Sequence, residues 1–110
     1  MFEDSVPIIL DKERHLKLTL GGMQKFREVT GIDLLKGMGD LNTLSDKDMI
    51  AFVWACLLPE DRKLTVEDVG YMLNPTKINE ITEAMFKVWG LGMPESEGPP
   101  DPNSLNRPPG

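Results

Sequence analysis

Ten consecutive residues in the middle of the chain, 49–58, carry no polar side chain except one thiol. At 100° per residue their side chains surround a helix completely, so this helix would have no face for water. Ser45 stands at capping distance before Asp48, which predicts the start of the helix, and Pro59 predicts its end. The pattern therefore predicts a helix over 46–58 that either lies at the centre of its domain or leaves one side for another chain.

Similar start signals recur twice downstream. Thr65 and Asp68 repeat the capping distance and precede a narrow apolar stripe, which predicts a short helix over 66–73. An Asn-Pro pair then supplies an N-cap and a first helical residue. The wide apolar stripe that follows at the helical period predicts a last helix over 75–89, and Gly90 is expected to end it.

The N-terminal part follows a different pattern. Apolar residues on both sides of a polar Asp-Lys-Glu-Arg segment predict an antiparallel β-hairpin over 7–20. A glycine pair breaks the second strand, and Met23, Phe26 and Val29 then indicate a helical region over 22–37. Within it, Thr30-Gly31 is expected to end a short helix, and a further turn or two is expected through Ile32, Leu34 and Leu35. The predicted fold class is therefore α+β and mostly α, with an N-terminal β-hairpin followed by a small bundle of four to five short helices.

The composition fits one small domain with a tail. Of 110 residues, 40% are hydrophobic, which predicts a single globular domain over 1–92. The segment 93–110 holds six prolines and few apolar groups, so we expect it to be a disordered Pro-rich tail. A domain of this size is only modestly stable, and homo-oligomer formation is a plausible supplement.

Charge and targeting features exclude several classes of protein. The net charge of −6 is concentrated in an acidic middle, so the basic patch that a duplex nucleic-acid binder needs is missing. No segment reaches the roughly 18 apolar residues of a membrane span. Phe2-Glu3-Asp4 does not resemble a secretory leader, and Cys56 has no second cysteine with which to form a disulfide. These features predict a cytoplasmic protein.

The residues that could carry catalysis or bind a metal are isolated from one another. Gly37 and Gly39 lack the third glycine of a dinucleotide site, and a helix end explains them better. Asp46 and Asp48 begin like a calcium loop, but the apolar residues that follow supply no further ligand. His15 has no second histidine or nucleophile near it in the sequence. We therefore predict no catalytic residue, no cofactor and no metal site.

Three segments, FREVTG, LSDKDMIAFVWACLLPED and LTVEDVGYML, follow one another between an extended N-terminal segment and a final amphipathic helix. In this order and spacing, from about Leu16 to Leu91, the chain resembles the tail assembly chaperones of long-tailed bacteriophages. The resemblance covers roughly two-thirds of the chain. It implies a non-enzymatic protein that coats the long tape-measure protein and keeps it soluble until tail-tube subunits displace it. It also implies action in the cytoplasm of the bacterial host and absence from the mature virion.

Three large apolar side chains are not required by the predicted stripes. Trp54 and Leu58 form an i, i+4 pair on the second side of the central helix. Phe86 falls about 60° outside the stripe of the last helix. Aromatic residues that remain after the core has been assigned are typical of interfaces, so these three are the candidate partner-binding residues. Burial in the core is the alternative for each of them.

Two further function classes fit parts of the same pattern. A generic α-helical protein-protein adaptor or regulatory subunit could use the same apolar helix. A small hydrolase or transferase would require a nucleophile and a base, and the sequence offers no such pair. The resemblance favours the chaperone, with the tape-measure protein as partner, the tail-tube protein as a second candidate partner, and neither nucleic acid nor membrane.

Overall fold

The computed structural model of the chain describes residues 5–36 and 41–92. An antiparallel hairpin of two strands, β1 (Ser5–Ile9) and β2 (Glu13–Lys17), opens the fold. The α-helices of the described ranges are α1 (Leu20–Thr30), α2 (Asp46–Leu57), α3 (Val66–Met72) and α4 (Ile78–Gly92). Short 3-10 turns occupy Leu34–Lys36, Leu41–Thr43 and Pro75–Lys77. The predicted tail, 93–110, lies outside the described residues.

The described residues are 64% helical and 12% strand, which confirms the predicted α+β, mostly α, fold class. The hairpin turns one face towards the helices, because Val6, Ile8 and Leu16 are buried while their strand neighbours are exposed or half-buried. Both α2 and α4 contact this face. The sheet therefore covers the helical bundle with one face, and the alternation of buried and more exposed positions along both strands reflects that single buried face.

Helix α2 is the most deeply buried element. Six of the seven side chains over 51–57 are fully enclosed: Ala51, Phe52, Val53, Ala55, Cys56 and Leu57. The Phe52 ring packs edge-to-face on Phe26 of α1, with 5.9 Å between ring centroids, and lies 6.3 Å from the Trp89 ring of α4. The start of α2 is capped as predicted, since Asp48 N–H donates to Ser45 Oγ at 3.2 Å. The helix ends at Leu57, one residue before the predicted end.

The hairpin ends earlier than its predicted boundary at residue 20. Strand β2 stops at Lys17, and Thr19 is the N-cap of α1, with its hydroxyl oxygen accepting from Gly22 N–H at 2.9 Å. Leu20, which alternation assigned to the strand, is the first residue of the helix and is 78% exposed. Threonine suits both a strand and an N-cap, so the local sequence pattern did not separate the two structures.

The helical region predicted over 22–37 is two elements. Helix α1 ends at Thr30 because Gly31 adopts a left-handed conformation, with φ of +79°. Its N–H donates to the Arg27 carbonyl at 2.7 Å, which satisfies one of the last free carbonyls of the helix. The 3-10 turn that follows keeps Leu34 in the core.

Helix α4 does not stop at Gly90 as expected. It begins at Ile78, after the 3-10 turn that Asn74 caps, and continues to Gly92. A Cβ added at Gly92 would lie 2.5 Å from the Leu18 Cβ, so the absence of a side chain lets the end of α4 pack against the segment that follows β2. This contact gives the extra turn a packing partner.

Helices α1 and α2 approach each other closely at Gly22. A Cβ added to this glycine would lie 2.7 Å from the Ala55 carbonyl oxygen, closer than real Cβ atoms come. Both residues are buried, and the oxygen belongs to the backbone of the central helix, which has little freedom to move. The glycine therefore sets the distance between the two helices.

We expect Gly22→Ala to destabilise the protein by about 1–3 kcal/mol, because the added methyl forces α1 away from α2. Gly21→Ala is the matched control, since nothing lies within 4 Å of its Cβ position. Alanine there should leave the free energy of unfolding unchanged or raise it by up to about 1 kcal/mol through helix propensity. Urea unfolding of both variants is the measurement, and equal effects of the two substitutions would contradict the close approach.

Candidate functional site

Trp54 and Leu58, two of the three candidate partner-binding residues, are half-buried at the end of α2. The indole N–H of Trp54 donates to the carbonyl oxygen of Leu64 at 2.9 Å, across the loop between α2 and α3. The Leu58 N–H donates to the Trp54 carbonyl oxygen at 3.1 Å and so completes the last turn of α2. Trp54 therefore fastens the α2–α3 loop to the central helix and offers only part of its ring to a partner.

Phe86, the third candidate, is 39% exposed on α4. Its neighbours along the buried stripe, Met85 and Val88, are enclosed in the core, so the ring lies at the border between core and solvent. The structure places Phe86 on a different helix from Trp54 and Leu58. A role of these three residues in partner binding stays a prediction.

A predominantly apolar depression lies elsewhere, where α2, α3 and the start of α4 meet. It encloses about 400 Å³. We call it the helical groove, and its walls are formed by Asp46, Met49, Ile50, Gly70, Leu73, Asn74, Pro75, Ile78 and Ile81. Neither Trp54, Leu58 nor Phe86 lines it.

The helical groove continues onto a second apolar depression between α2 and α3. Ile50 and Gly70 line both, and the second one extends to Tyr71, whose ring is 84% exposed. Ile78, which also lines the helical groove, is 41% exposed. Apolar side chains of this size and exposure, gathered on one surface, are typical of a site that binds another molecule.

Local sequence signals explain why a gap remains between α3 and α4. Thr65 and Asp68 form a complete capping box, with both hydrogen bonds at 3.0 Å, and so fix the start of α3. Helix α3 is only 7 residues long, because Asn74 and Pro75 start a new element directly after it. A short helix covers only part of α2, so Met49 and Ile50 stay half-buried.

Gly70 lines the groove and has no side chain to fill it. A Cβ added there would lie 3.7 Å from two methyl carbons of Ile50, an ordinary van der Waals distance. A side chain at position 70 would therefore fit sterically and would occupy groove volume. In the sequence this glycine falls within a predicted helix, and its cost in helix propensity was the signal that could have marked the position.

Sequence reasoning did not find the helical groove, because it assigned the apolar residues of α3 and α4 to core stripes. Of the α3 stripe only Val69 is buried, and Met72 and Leu73 are half-buried. The predicted helix over 66–73 carries four apolar residues, Val66, Val69, Met72 and Leu73, which is more than one buried face of so short a helix can hold. This excess was the sequence signal that could have indicated the groove.

Charged groups join the hairpin to the α2–α3 loop. The guanidinium of Arg14, 5% exposed, donates to both carboxylate oxygens of Asp11 at 2.9 and 2.8 Å and to Asp61 at 3.4 Å. The hydrogen bonds from Arg14 lower the pKa of Asp11 to about 2, and those same bonds raise the pKa of Arg14. A buried cation is thus held by two carboxylates.

His15 makes the second connection between the same elements. Its backbone N–H donates to one Glu60 oxygen at 3.0 Å, and its Nδ1 lies 3.0 Å from the other. Burial raises the pKa of Glu60, but the hydrogen bonds with His15 outweigh burial and leave this pKa lowered. These contacts hold the loop against β2, which is a structural role.

Both edges of the hairpin are blocked at their centres. Pro7 lies opposite His15 in the sheet register and has no N–H, so β1 lacks a donor there. On β2 the N–H of His15 is already bonded to Glu60. A strand added at either edge would therefore lack a hydrogen bond at its middle.

Metal-ligating side chains and the thiol were the remaining candidates for chemistry. Within 5–36 and 41–92, no group of three or more His, Cys, Asp or Glu side chains could hold a metal ion. Cys56 is fully enclosed, and burial raises the pKa of its thiol. None of the helices in these ranges has both the length and the hydrophobicity that a membrane span requires.

Comparisons with protein-family models, curated proteins and solved structures find no match to this chain.

The Arg14 cluster predicts a defined acid sensitivity. Because the pKa of Asp11 falls from its ordinary value of 3.8 to about 2 on folding, its carboxylate stabilises the fold above about pH 4. That stability is lost as the pH falls towards 2, and the lowered pKa of Glu60 acts in the same direction. We expect Asp11→Asn to be less stable than wild type at neutral pH and to lose less stability on acidification. Urea unfolding midpoints across the acid range measure this, and parallel pH curves for the two proteins would contradict it.

Proposed function

We propose that this protein is a non-enzymatic phage tail assembly chaperone that binds the tape-measure protein and keeps it soluble for tail-tube assembly. The observation that carries the proposal is the helical groove, an open apolar surface beside the most deeply buried helix of the domain. The resemblance of its three sequence segments to tail assembly chaperones supplies the identity of the partner.

The physical demands of such a function agree with this architecture. A chaperone for a long helical protein has to present apolar surface to that partner while remaining soluble itself. The rigid body of the domain is supplied by the core around α2, and the net charge of −6 favours solubility of a complex. Exposed apolar side chains such as Tyr71 and Ile78 then supply contact area for the partner.

A generic α-helical adaptor or regulatory subunit is the alternative, since the same groove would serve it. The two functions differ in the partner. A chaperone is expected to be encoded next to a tape-measure gene and to change the solubility of its product, whereas an adaptor has neither property.

The direct test is co-expression with the tape-measure protein encoded beside this chain. We expect the tape-measure protein to be largely insoluble alone and to become soluble and co-purify when this protein is present. Co-expression with an unrelated acidic protein of similar size is the control for nonspecific solubilisation. A tape-measure protein that stays insoluble, or becomes soluble without co-purifying, would contradict the proposal.

Phe86→Ala tests the contribution of the candidate residue that is exposed. Since the ring is 39% exposed, we expect the thermal midpoint to change little. A hot-spot aromatic contributes at least about 2 kcal/mol, so capture of the tape-measure protein should weaken roughly thirtyfold. Leu91→Ala, which removes a 50% exposed side chain from the same helix, is the matched control.

Each alternative outcome identifies another role for Phe86. If Phe86→Ala melts the domain, the ring belongs to the core. If neither stability nor capture changes, the binding surface does not include it. Thermal unfolding and co-purification, measured side by side on both variants, separate these outcomes.

A further inference from the structure

We infer that the helical groove binds an amphipathic helix with one apolar stripe and basic side chains beside that stripe, and that a large apolar side chain of this helix inserts over Gly70. The inference rests on the proposed function and adds to it the docking surface and the charge of the bound segment.

The shape of the groove fits insertion of large side chains. Its volume of about 400 Å³ lies within the usual range of binding pockets, roughly 300–1,000 Å³. Gly70 lines the groove without a side chain, and half-buried Ile50 and exposed Ile78 line it as well. The second depression, towards Tyr71, extends the same apolar surface beyond one pocket. A helix presents anchors at i, i+3, i+4 and i+7, and these need an elongated surface of this kind.

A strand is a poor occupant, because the groove is walled by helices and the sheet edges are blocked. Strand addition gains its affinity from a continuous row of backbone hydrogen bonds. Pro7 interrupts the row of donors on β1, and Glu60 occupies the central donor of β2. An extended partner would find no regular edge on the hairpin, so the helix-in-groove mode remains for this fold.

The charges around the groove select the partner. Asp46 lines the groove, and Glu67 with Lys47 lines its continuation, so the rim carries more negative than positive charge. The other acidic cluster does not alter this balance, because Asp11 and Asp61 are paired with Arg14. A helix with Lys or Arg beside its apolar stripe complements this rim.

The same charges disfavour two occupants from within the protein itself. A second copy would bring another chain of net charge −6 to an acidic rim. The segment 93–110 carries three acidic residues and one basic residue, so it does not complement the rim either. A separate basic, amphipathic helix is therefore the occupant that the charges favour.

Two synthetic helices of about 18 residues are suitable probes, since shorter peptides are only marginally helical. Both carry the same leucine stripe, and one has lysine beside the stripe where the other has glutamate. For the wild-type protein we expect the lysine peptide to bind at least about tenfold more tightly than the glutamate peptide. Gly70→Leu should weaken binding of the lysine peptide at least about tenfold.

Gly90→Leu is the matched control, because it places the same side chain on an exposed helical glycine outside the groove. It should bind the lysine peptide like wild type. Ile78→Ser, paired with Leu91→Ser, repeats the comparison with different side chains if Gly70→Leu does not fold. Circular dichroism and thermal unfolding verify the fold of each variant before binding is measured.

Several outcomes would overturn the inference. Equal binding of the lysine peptide by wild type and Gly70→Leu removes the groove as the site, and equal binding of both peptides removes the charge selection. A wild-type dimer that Gly70→Leu converts to a monomer identifies a second copy as the occupant. If the groove is excluded as the binding site, the proposed function still stands provided that Gly70→Leu co-purifies the tape-measure protein. The proposed function alone fails if wild type binds the lysine peptide in the groove but does not capture that protein.

Discussion

The structure depends on one constraint, the burial of a helix that has no polar face. Apolar side chains surround α2, so this helix is stable only where other elements exclude water from every side. Helix α1 covers α2 at the close approach of Gly22. Helix α4 covers it where Trp89 contacts Phe52, and strand β2 of the hairpin packs against it as well. The arrangement of the whole domain follows from covering α2.

The neighbouring elements leave one end of α2 partly uncovered, and this open apolar surface is what the proposed function would use. Helix α3 is too short to enclose Met49 and Ile50, and the chain turns directly into α4 at Asn74. The helical groove is thus the uncovered remainder of the same apolar surface that forms the core. A partner helix in the groove would complete the burial of α2, which gives association a hydrophobic driving force.

The polar cluster between the hairpin and the α2–α3 loop has a different role. Arg14 and His15 on β2 hold Asp61 and Glu60, so the α2–α3 loop is tied to the sheet. This tether orients the loop from which α3 departs, and Trp54 adds a third attachment through Leu64. The position of α3, and with it the wall of the groove, is therefore fixed by contacts between residues far apart in the sequence. No local pattern contains them.

The sequence alone determined the elements and many of their starts. Ser45, Thr65 and Asn74 were recognised as caps, because each makes its hydrogen bond within three residues and needs no tertiary partner. The all-round hydrophobicity of α2 likewise predicted its central place. Resemblance to a family of tail chaperones is also a property of the sequence, and it remains the basis for naming a partner.

Only the tertiary structure decided which apolar residues are exposed. Periodicity identifies the face of a helix, but not what covers that face. Ile78 lies on the predicted apolar stripe of the last helix, and the pattern left Trp54 open between the core and an interface. The structure exposes the first and fastens the second to Leu64. The expected stop at Gly90 was wrong for the same reason, because the packing of Leu18 against Gly92 lies outside any local window. Local hydrogen bonds are encoded within a few residues, whereas burial is a sum over contacts that exist only after the chain has folded.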